Sequence, residues 1–383
     1  MLPILPRFAS DMGAGIGLIG LVIAAHGAGQ MAGDIPGGIL VNRIGRRKAT
    51  LIAMVGMAIS SVGAGFSHNI PLLITMRFVT GLSFSFWGVS RHTYVSTVVP
   101  IGHRGRAMAL LGGTGRFGIF IGPIIGGFLG AWAGMEWPFF LFAAIAIISL
   151  VFMTTDKVGQ DLEDNRYAVG NPLTTLVNVF RKHRYDLSTA GLVNLVLSTI
   201  REGRQILVPL WAEQIGLVIS SLGLLFGIAS AFDMTLFVLS GIVMDRWGRK
   251  WVIIPSALIM AIGVSLIPAS HGFADLLGAC ILIALGNGIG SGAMFTLGAD
   301  LAPRHHEGEF LGIWRLIGDG GRTMSPFAIG LIGQTAALTA ACLTTAGAGV
   351  LAALLTAFLV KETLHGSHQS HDDRKSQTPR SSR

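Results

Sequence analysis

Long apolar runs broken by short polar loops fill most of the chain. Each run holds about 18 to 27 residues, the length at which a helix crosses the hydrocarbon of a bilayer. The pattern predicts eleven spans, at residues 14–40, 49–67, 70–98, 107–132, 137–154, 187–211, 219–244, 251–270, 273–302, 309–333 and 336–360. The loops between them alternate in charge. Those at 42–48, 101–106, 245–250 and 303–309, the central segment and the C-terminal tail are rich in Arg and Lys, whereas those at 67–69, 134–136, 213–216, 270–275 and 333–335 have neither. Basic loops stay in the cytosol, so the first set and the C-terminus are expected there, in a plasma or inner membrane.

Composition narrows the class. Of 383 residues 51% are hydrophobic and only 13% charged, too few to coat a soluble protein of this length. The net charge of +8 sits in loops and tail, where it sets orientation, so no nucleic-acid partner is expected. Cys280 and Cys342 lie inside apolar runs and read as small filler. His365, His368 and His371 stand in a polar tail without a ligand cage. No nucleophile–base set, phosphate-cradling loop or metal-ligand spacing stands out, so neither an enzyme nor a cofactor or metal is expected.

A shift of 203 residues lays the second part of the chain on the first. Arg43, Gly45 and Arg46 fall on Arg246, Gly248 and Arg249, Pro100 and His103 on Pro303 and His306, and Gly115, Gly118 and Pro123 on Gly318, Gly321 and Pro326. Duplication of one helical bundle explains such a shift. The organisation read from it is an N-terminal bundle over 1–154, a linker with a short interfacial helix over 155–186, a C-terminal bundle over 187–360 and a disordered cytoplasmic tail over 361–383. The same shift places Met1 opposite Arg204, inside the span 187–211. That span has no complete counterpart, so a start upstream of Met1, or a truncated product, is expected.

Two loop segments, GILVNRIGRR at 38–47 and GIVMDRWGRK at 241–250, resemble the signature of the major facilitator superfamily. The matching positions are Gly38, Asn42, Arg43, Gly45, Arg46 and Arg47, then Gly241, Asp245, Arg246, Gly248, Arg249 and Lys250. Gly118, Gly122, Pro123, Gly126 and Gly127 resemble the antiporter motif of its drug:proton branch, with Ala109 where a further Gly is expected. Arg77 and Gly81 loosely resemble a third motif. The resemblance implies an all-α integral membrane protein, a two-bundle transporter with about eleven of twelve spans present. It also implies that each loop latches the cytoplasmic side shut, more weakly in the first copy, where Asn42 replaces an acid. Asn42→Asp is then expected to favour an outward-open state.

Charge inside a span is costly and marks function. Spans 49–67, 137–154, 251–270 and 336–360 carry none in their apolar cores, and the resemblance places these four against lipid. Seven arginines (Arg77, Arg91, Arg116, Arg201, Arg204, Arg315 and Arg322) stand against five acids (Asp34, Glu202, Asp233, Asp300 and Asp319) on the others, with His26 and His92 as outlying proton relays. The arginines are candidates for the substrate path. Asp34 and Asp233 have no partner at i±3 or i±4 and lead as proton carriers. Asp319, with Arg315 and Arg322 on its own face, reads first as a static ion-pair ladder and second as a coupling site. Asp300 lies near a loop and reaches water. Trp87, Trp211 and Trp314 could meet a flat solute or simply pack.

The expected function is secondary active transport of a small organic solute or drug by a monomer in the lipid bilayer, with proton antiport, hence efflux, implied by the motif at 118–127. The arginine excess alternatively suits uptake or exchange of an organic anion. A non-transporting sensor or degenerate truncated subunit would also account for the absent helix and Asn42.

Overall fold

The computed structural model describes residues 4–98, 104–155, 172–303 and 307–363. Among them there are helices and no strands, because a backbone in lipid must bond within its own segment. The first half comprises α1 (Leu5–Asp11), α2 (Ile16–Ile44), α3 (Arg46–Gly65), α4 (Ile70–Val98), α5 (Arg104–Trp132) and α6 (Trp137–Thr155). A short amphipathic helix, α7 (Pro172–Lys182), follows. The second half comprises α8 (Arg184–Gln214), α9 (Ile219–Trp247), α10 (Lys250–Leu266), α11 (Phe273–Ile289), α12 (Ala293–Leu301), α13 (Glu307–Thr335) and α14 (Leu338–Leu359). Among the described residues eight apolar stretches are long enough to cross a membrane. The helices α8 and α13 are 31 and 29 residues long but carry the charges described below.

The duplication is visible in the backbone. Both ends of α9 lie 203 residues beyond those of α2, and α13 stands in the same relation to α5. The turns repeat as well. Gly13 and Gly216 have φ of 81° and 74°, and Gly45 and Gly248 have 86° and 108°, values a side chain disfavours. The span expected at 273–302 is found as an apolar stretch over Phe273–Leu301, but its helix is parted into α11 and α12 at Gly290–Ser291–Gly292, where Gly292 has φ 81°. Two glycines weaken the helix there, and the carbonyls around the break find other donors. Arg201 donates to Gly290 O at 2.7 Å and Ser240 Oγ to Ser291 O at 3.0 Å. At the equivalent place, Trp87–Gly88–Val89, α4 runs through unbroken.

Within the halves, α2 packs on α4, α3 on α4 and α6, and α10 on α11 and α14. The four charge-free spans present large apolar side chains outward: Ile59 on α3, Phe152 on α6, Ile262 on α10 and Phe358 on α14 are all exposed. Faces this apolar suit contact with lipid. The helix α13 packs on α8 in its own half, and its Gly318 lies so close to Asn194 that an added Cβ would stand 2.9 Å from the amide nitrogen. The equivalent Gly115, and Gly118 one turn on, have nothing within 4 Å. That face of α5 is therefore bare among the described residues, and α5 is held mainly by α9 of the other half.

The halves meet along α2–α13 and α5–α9. A Cβ on Gly20 would lie 2.9 Å from Gly330 Cα, and one on Gly127 2.8 Å from Gly223 Cα. These contacts are symmetry mates, since Gly20 and Gly223, and Gly127 and Gly330, are each 203 apart. Arg7 and Ser10 of α1 add hydrogen bonds to Glu213 of α8 at 3.1 and 3.0 Å. Among the described residues, the hydrogen bonds, ion pairs and close glycine contacts between halves run from this Arg-poor end inward to the level of Asp34 and Asp319.

At the Arg/Lys-rich end the described loop contacts stay inside each half. Arg47 donates to Met153 O and Thr154 O, both at 3.1 Å, and its counterpart Lys250 to Ala357 O at 3.0 Å. Each cation thus caps the last carbonyls of α6 or α14. Arg249 pairs with Asp300 at 2.8 Å, and Glu362 accepts from the backbone N–H of Arg249 and Lys250 at 2.9 and 3.1 Å. Asp245 is exposed, and the side chains of Asn42, Arg43 and Arg46, like Gly38, lie outside those described. Glu362→Ala should cost about 1–2 kcal/mol, seen as a fall of a few degrees in the unfolding temperature in detergent, with Glu362→Gln recovering part. Equal unfolding temperatures for all three proteins would remove this role.

Candidate functional site

The buried ionisable groups converge where the halves face each other. Asp34 of α2 accepts a hydrogen bond from Ser85 Oγ of α4. Across the interface its carboxyl is near enough to that of Asp319 on α13 for the two to interact. Asp319 Oδ1 accepts from Arg322 at 2.9 Å, while its Oδ2 is buried and receives no donor among the described residues. Two carboxylates are both acceptors, so these groups can hydrogen-bond to one another only while one of them holds a proton. Arg315 acts on Asp319 at longer range, without an ion pair among the described residues. The expected three-residue ladder is thus one pair, Asp319–Arg322.

Asp319 is 7% exposed in its side chain and Arg322 is 49% exposed. Arg322 lies near the middle of a 29-residue helix. A guanidinium open at that depth needs a polar path beside it. Glu202 of α8 borders the same space. It feels the charges of Arg322, Arg204 and Arg77, in that order, and of Asp319. Arg77 of α4 is 5% exposed. The imidazole of His26 lies against its backbone. A Cβ on Gly81 would press into the α2 backbone, so this glycine lets α4 approach α2. Arg204 lines a cleft between α5, α8, α9 and α11 with about 430 Å³ of empty space, part of it open to solvent.

Other candidates lie apart. Asp233 of α9 accepts from Asn287 of α11 at 3.1 Å, inside its own half. Arg201 is engaged at the break between α11 and α12. Arg91, His92 and Arg116 lie on α4 and α5 with side chains outside those described. Trp211 donates to Ser270 O at 3.1 Å and Trp314 is buried against Phe310, so both pack. No group of three His, Cys, Asp or Glu side chains among the described residues could hold a metal ion.

Reasoning from sequence left Glu202 out of the candidate site, although an acid between Arg201 and Arg204 in an apolar span was a usable signal. Ser85 and Asn287 gave none, because a lone Ser or Asn in a span reads as small polar filler.

Two helical bundles with apolar outer faces and ionisable groups gathered between them define a membrane transporter. The Major Facilitator Superfamily family model matches residues 1–232 and again 192–382. The chain belongs to the Major Facilitator Superfamily. It is 24% identical over 314 residues to an uncharacterized MFS-type transporter of Methanocaldococcus jannaschii, covering 82% of this chain and 81% of that protein. It is 26% identical over 317 residues to the class H tetracycline resistance protein of Pasteurella multocida, covering 71% and 75%. The inward-open xylose transporter XylE of E. coli shares the fold, with a TM-score of 0.70 at 21% identity over 93% of this chain and 90% of that one.

Proposed function

We propose that this transporter is a proton-coupled antiporter that exports a small organic solute by alternating access, with its Arg/Lys-rich end in the cytosol. The observation that carries the reading is the Asp34–Asp319 carboxyl pair, one member on each half. With one shared proton the pair holds α2 to α13. Without it two carboxylates face each other. At a separation of 4 Å and an effective dielectric of 20, such repulsion is about 4 kcal/mol, enough to shift a two-state equilibrium by almost a thousandfold. Proton loss thus drives the halves apart, and proton gain lets them close. Ser85 and Arg322 hold the two acids in place from opposite sides.

With the basic loops in the cytosol, the glycine contacts lie at the outer end, and the structure reads as inward-facing. Hydrated, half-exposed Arg322 then connects the carboxyl pair to the cytosol. The alternative reading, uptake or exchange of an organic anion, draws on the arginine excess.

The test is flux into proteoliposomes under an imposed pH gradient. Tetracycline, the compound named for the Pasteurella relative, and a set of organic carboxylates serve as probes. Antiport predicts accumulation in vesicles with an acidic lumen, as protons leave. Accumulation only with an alkaline lumen identifies symport, and flux indifferent to the gradient eliminates proton coupling.

A further inference from the structure

Arg77 and Arg204 share an unusual condition. Each has a buried Nε atom without a hydrogen-bond partner, and among the described residues neither guanidinium makes an ion pair within 4.0 Å. Arg77 is nine-tenths buried and more. A buried guanidinium with unmet donors is expensive unless an anion completes it. The acid Glu202 acts on both at range and bonds to neither among the described residues. When ionised it offsets one positive charge of the two. Arg322 is already matched by Asp319. One unit of positive charge is left over at the place where Arg204 opens into the cleft.

Apart from Gln205 and Ser230 the rest of that cleft is apolar. Pro123 of α5, Phe226 and Ala229 of α9 and Ile283 of α11 form its walls. Its lining comes from both halves, so a solute seated there touches both and can bias their relative position. Charge and shape together describe one ligand chemistry, a single anionic head on an apolar body.

Resting on the transporter reading above, we infer that Arg204, backed by Arg77 and with its charge trimmed by Glu202, anchors the head of an organic monoanion whose apolar body lies against Pro123, Phe226 and Ile283. A carboxylate or sulfonate fits the guanidinium fork through two parallel hydrogen bonds. Glu202 sets the valence: with it ionised the site takes one negative charge and rejects a dianion. The site selects against cations of the same shape, because Arg204 and Arg77 repel them.

Binding measured without any gradient separates this inference from proton coupling. Purified full-length protein in detergent is titrated with benzoate, hexanoate and benzenesulfonate, and with the cation benzylamine, while unfolding temperature and tryptophan fluorescence are followed. At least one anion is expected to stabilise the protein and benzylamine is not. Arg204→Gln should weaken anion binding about tenfold or more, Arg204→Lys should retain an intermediate affinity, and Glu202→Gln should admit a dicarboxylate such as phthalate. Ile283→Trp, which fills the apolar wall without changing charge, should abolish binding and covers the case in which Arg204→Gln does not fold. Lys182→Gln, at the exposed end of α7, should bind as the parent does. Stabilisation by benzylamine instead, silence toward all three anions, or equal affinity in the parent, Arg204→Lys and Ile283→Trp would overturn the assignment. Anion binding that survives while flux ignores the pH gradient would retire the antiport reading and leave this one standing.

Discussion

Asp319→Asn is expected to lower flux driven by a pH gradient by about a hundredfold or more, while exchange of solute without a gradient continues. An amide opposite Asp34 can donate to it at any pH, so the α2–α13 contact opens and closes without regard to a proton, and the about 4 kcal/mol of switching repulsion is gone. Arg322, half-exposed, loses an acceptor but can be hydrated, so the fold survives. Asp34→Asn should have the same effect from the other side, with Ser85 still able to donate to the amide oxygen. Because one proton serves both acids, the double variant should be no worse than either single one, the non-additivity of groups that act as a unit. Measurement of proton-driven and gradient-free flux for the three variants decides this. If Asp34→Asn keeps full coupling, or if the two losses multiply, the acids work separately and the shared-proton account is wrong.

Gly20→Val and Gly127→Val are each expected to hold the protein away from the state in which the Arg-poor end is shut. The atoms that a new side chain would meet are backbone, Gly330 Cα at 2.9 Å for Gly20 and Gly223 Cα at 2.8 Å for Gly127, and backbone cannot turn aside. Overpacking of this kind costs about 1–3 kcal/mol, which moves a two-state population roughly five- to hundredfold. Position 68, in the loop between α3 and α4, and position 271, its counterpart before α11, are exposed at the Arg-poor end and suit spin labels. The distance between them should lengthen in both variants, with transport falling in parallel. Gly312→Ala, where nothing lies within 4 Å, should leave distance and transport unchanged. Unaltered distances in Gly20→Val and Gly127→Val would mean that the end opens elsewhere.

The two-bundle plan could be read before any coordinates because it rests on periodic, local signals. Apolar run length gave the spans, loop charge their alternation, and the 203-residue shift the pairing of α2 with α9 and of α5 with α13. The break at Gly290–Gly292 was missed because a run of apolar and glycine residues looks continuous, and only Arg201 from α8 and Ser240 from α9 reveal that its carbonyls are used. The site itself was half legible. Which residues were costly in lipid followed from their type, and the aspartates were picked for that reason. That Asp34 meets Asp319, while Asp233 turns to Asn287, depends on helix rotation and on contacts between segments far apart in the chain. A helical period does not contain that information.

The account stands on one physical statement: the charges buried between the halves border water, and none faces acyl chains. Thiol accessibility tests it most directly. In a protein with Cys280 and Cys342 replaced by Ala, single cysteines are placed at Gln205 and Ser230, which line the cleft beside Arg204, and at Phe152 and Phe358 on the outer faces. A charged, membrane-impermeant thiol reagent should modify positions 205 and 230 in the membrane and leave 152 and 358 untouched. Positions 205 and 230 inert to that reagent, yet open to a lipid-soluble maleimide, would contradict a hydrated path between the bundles.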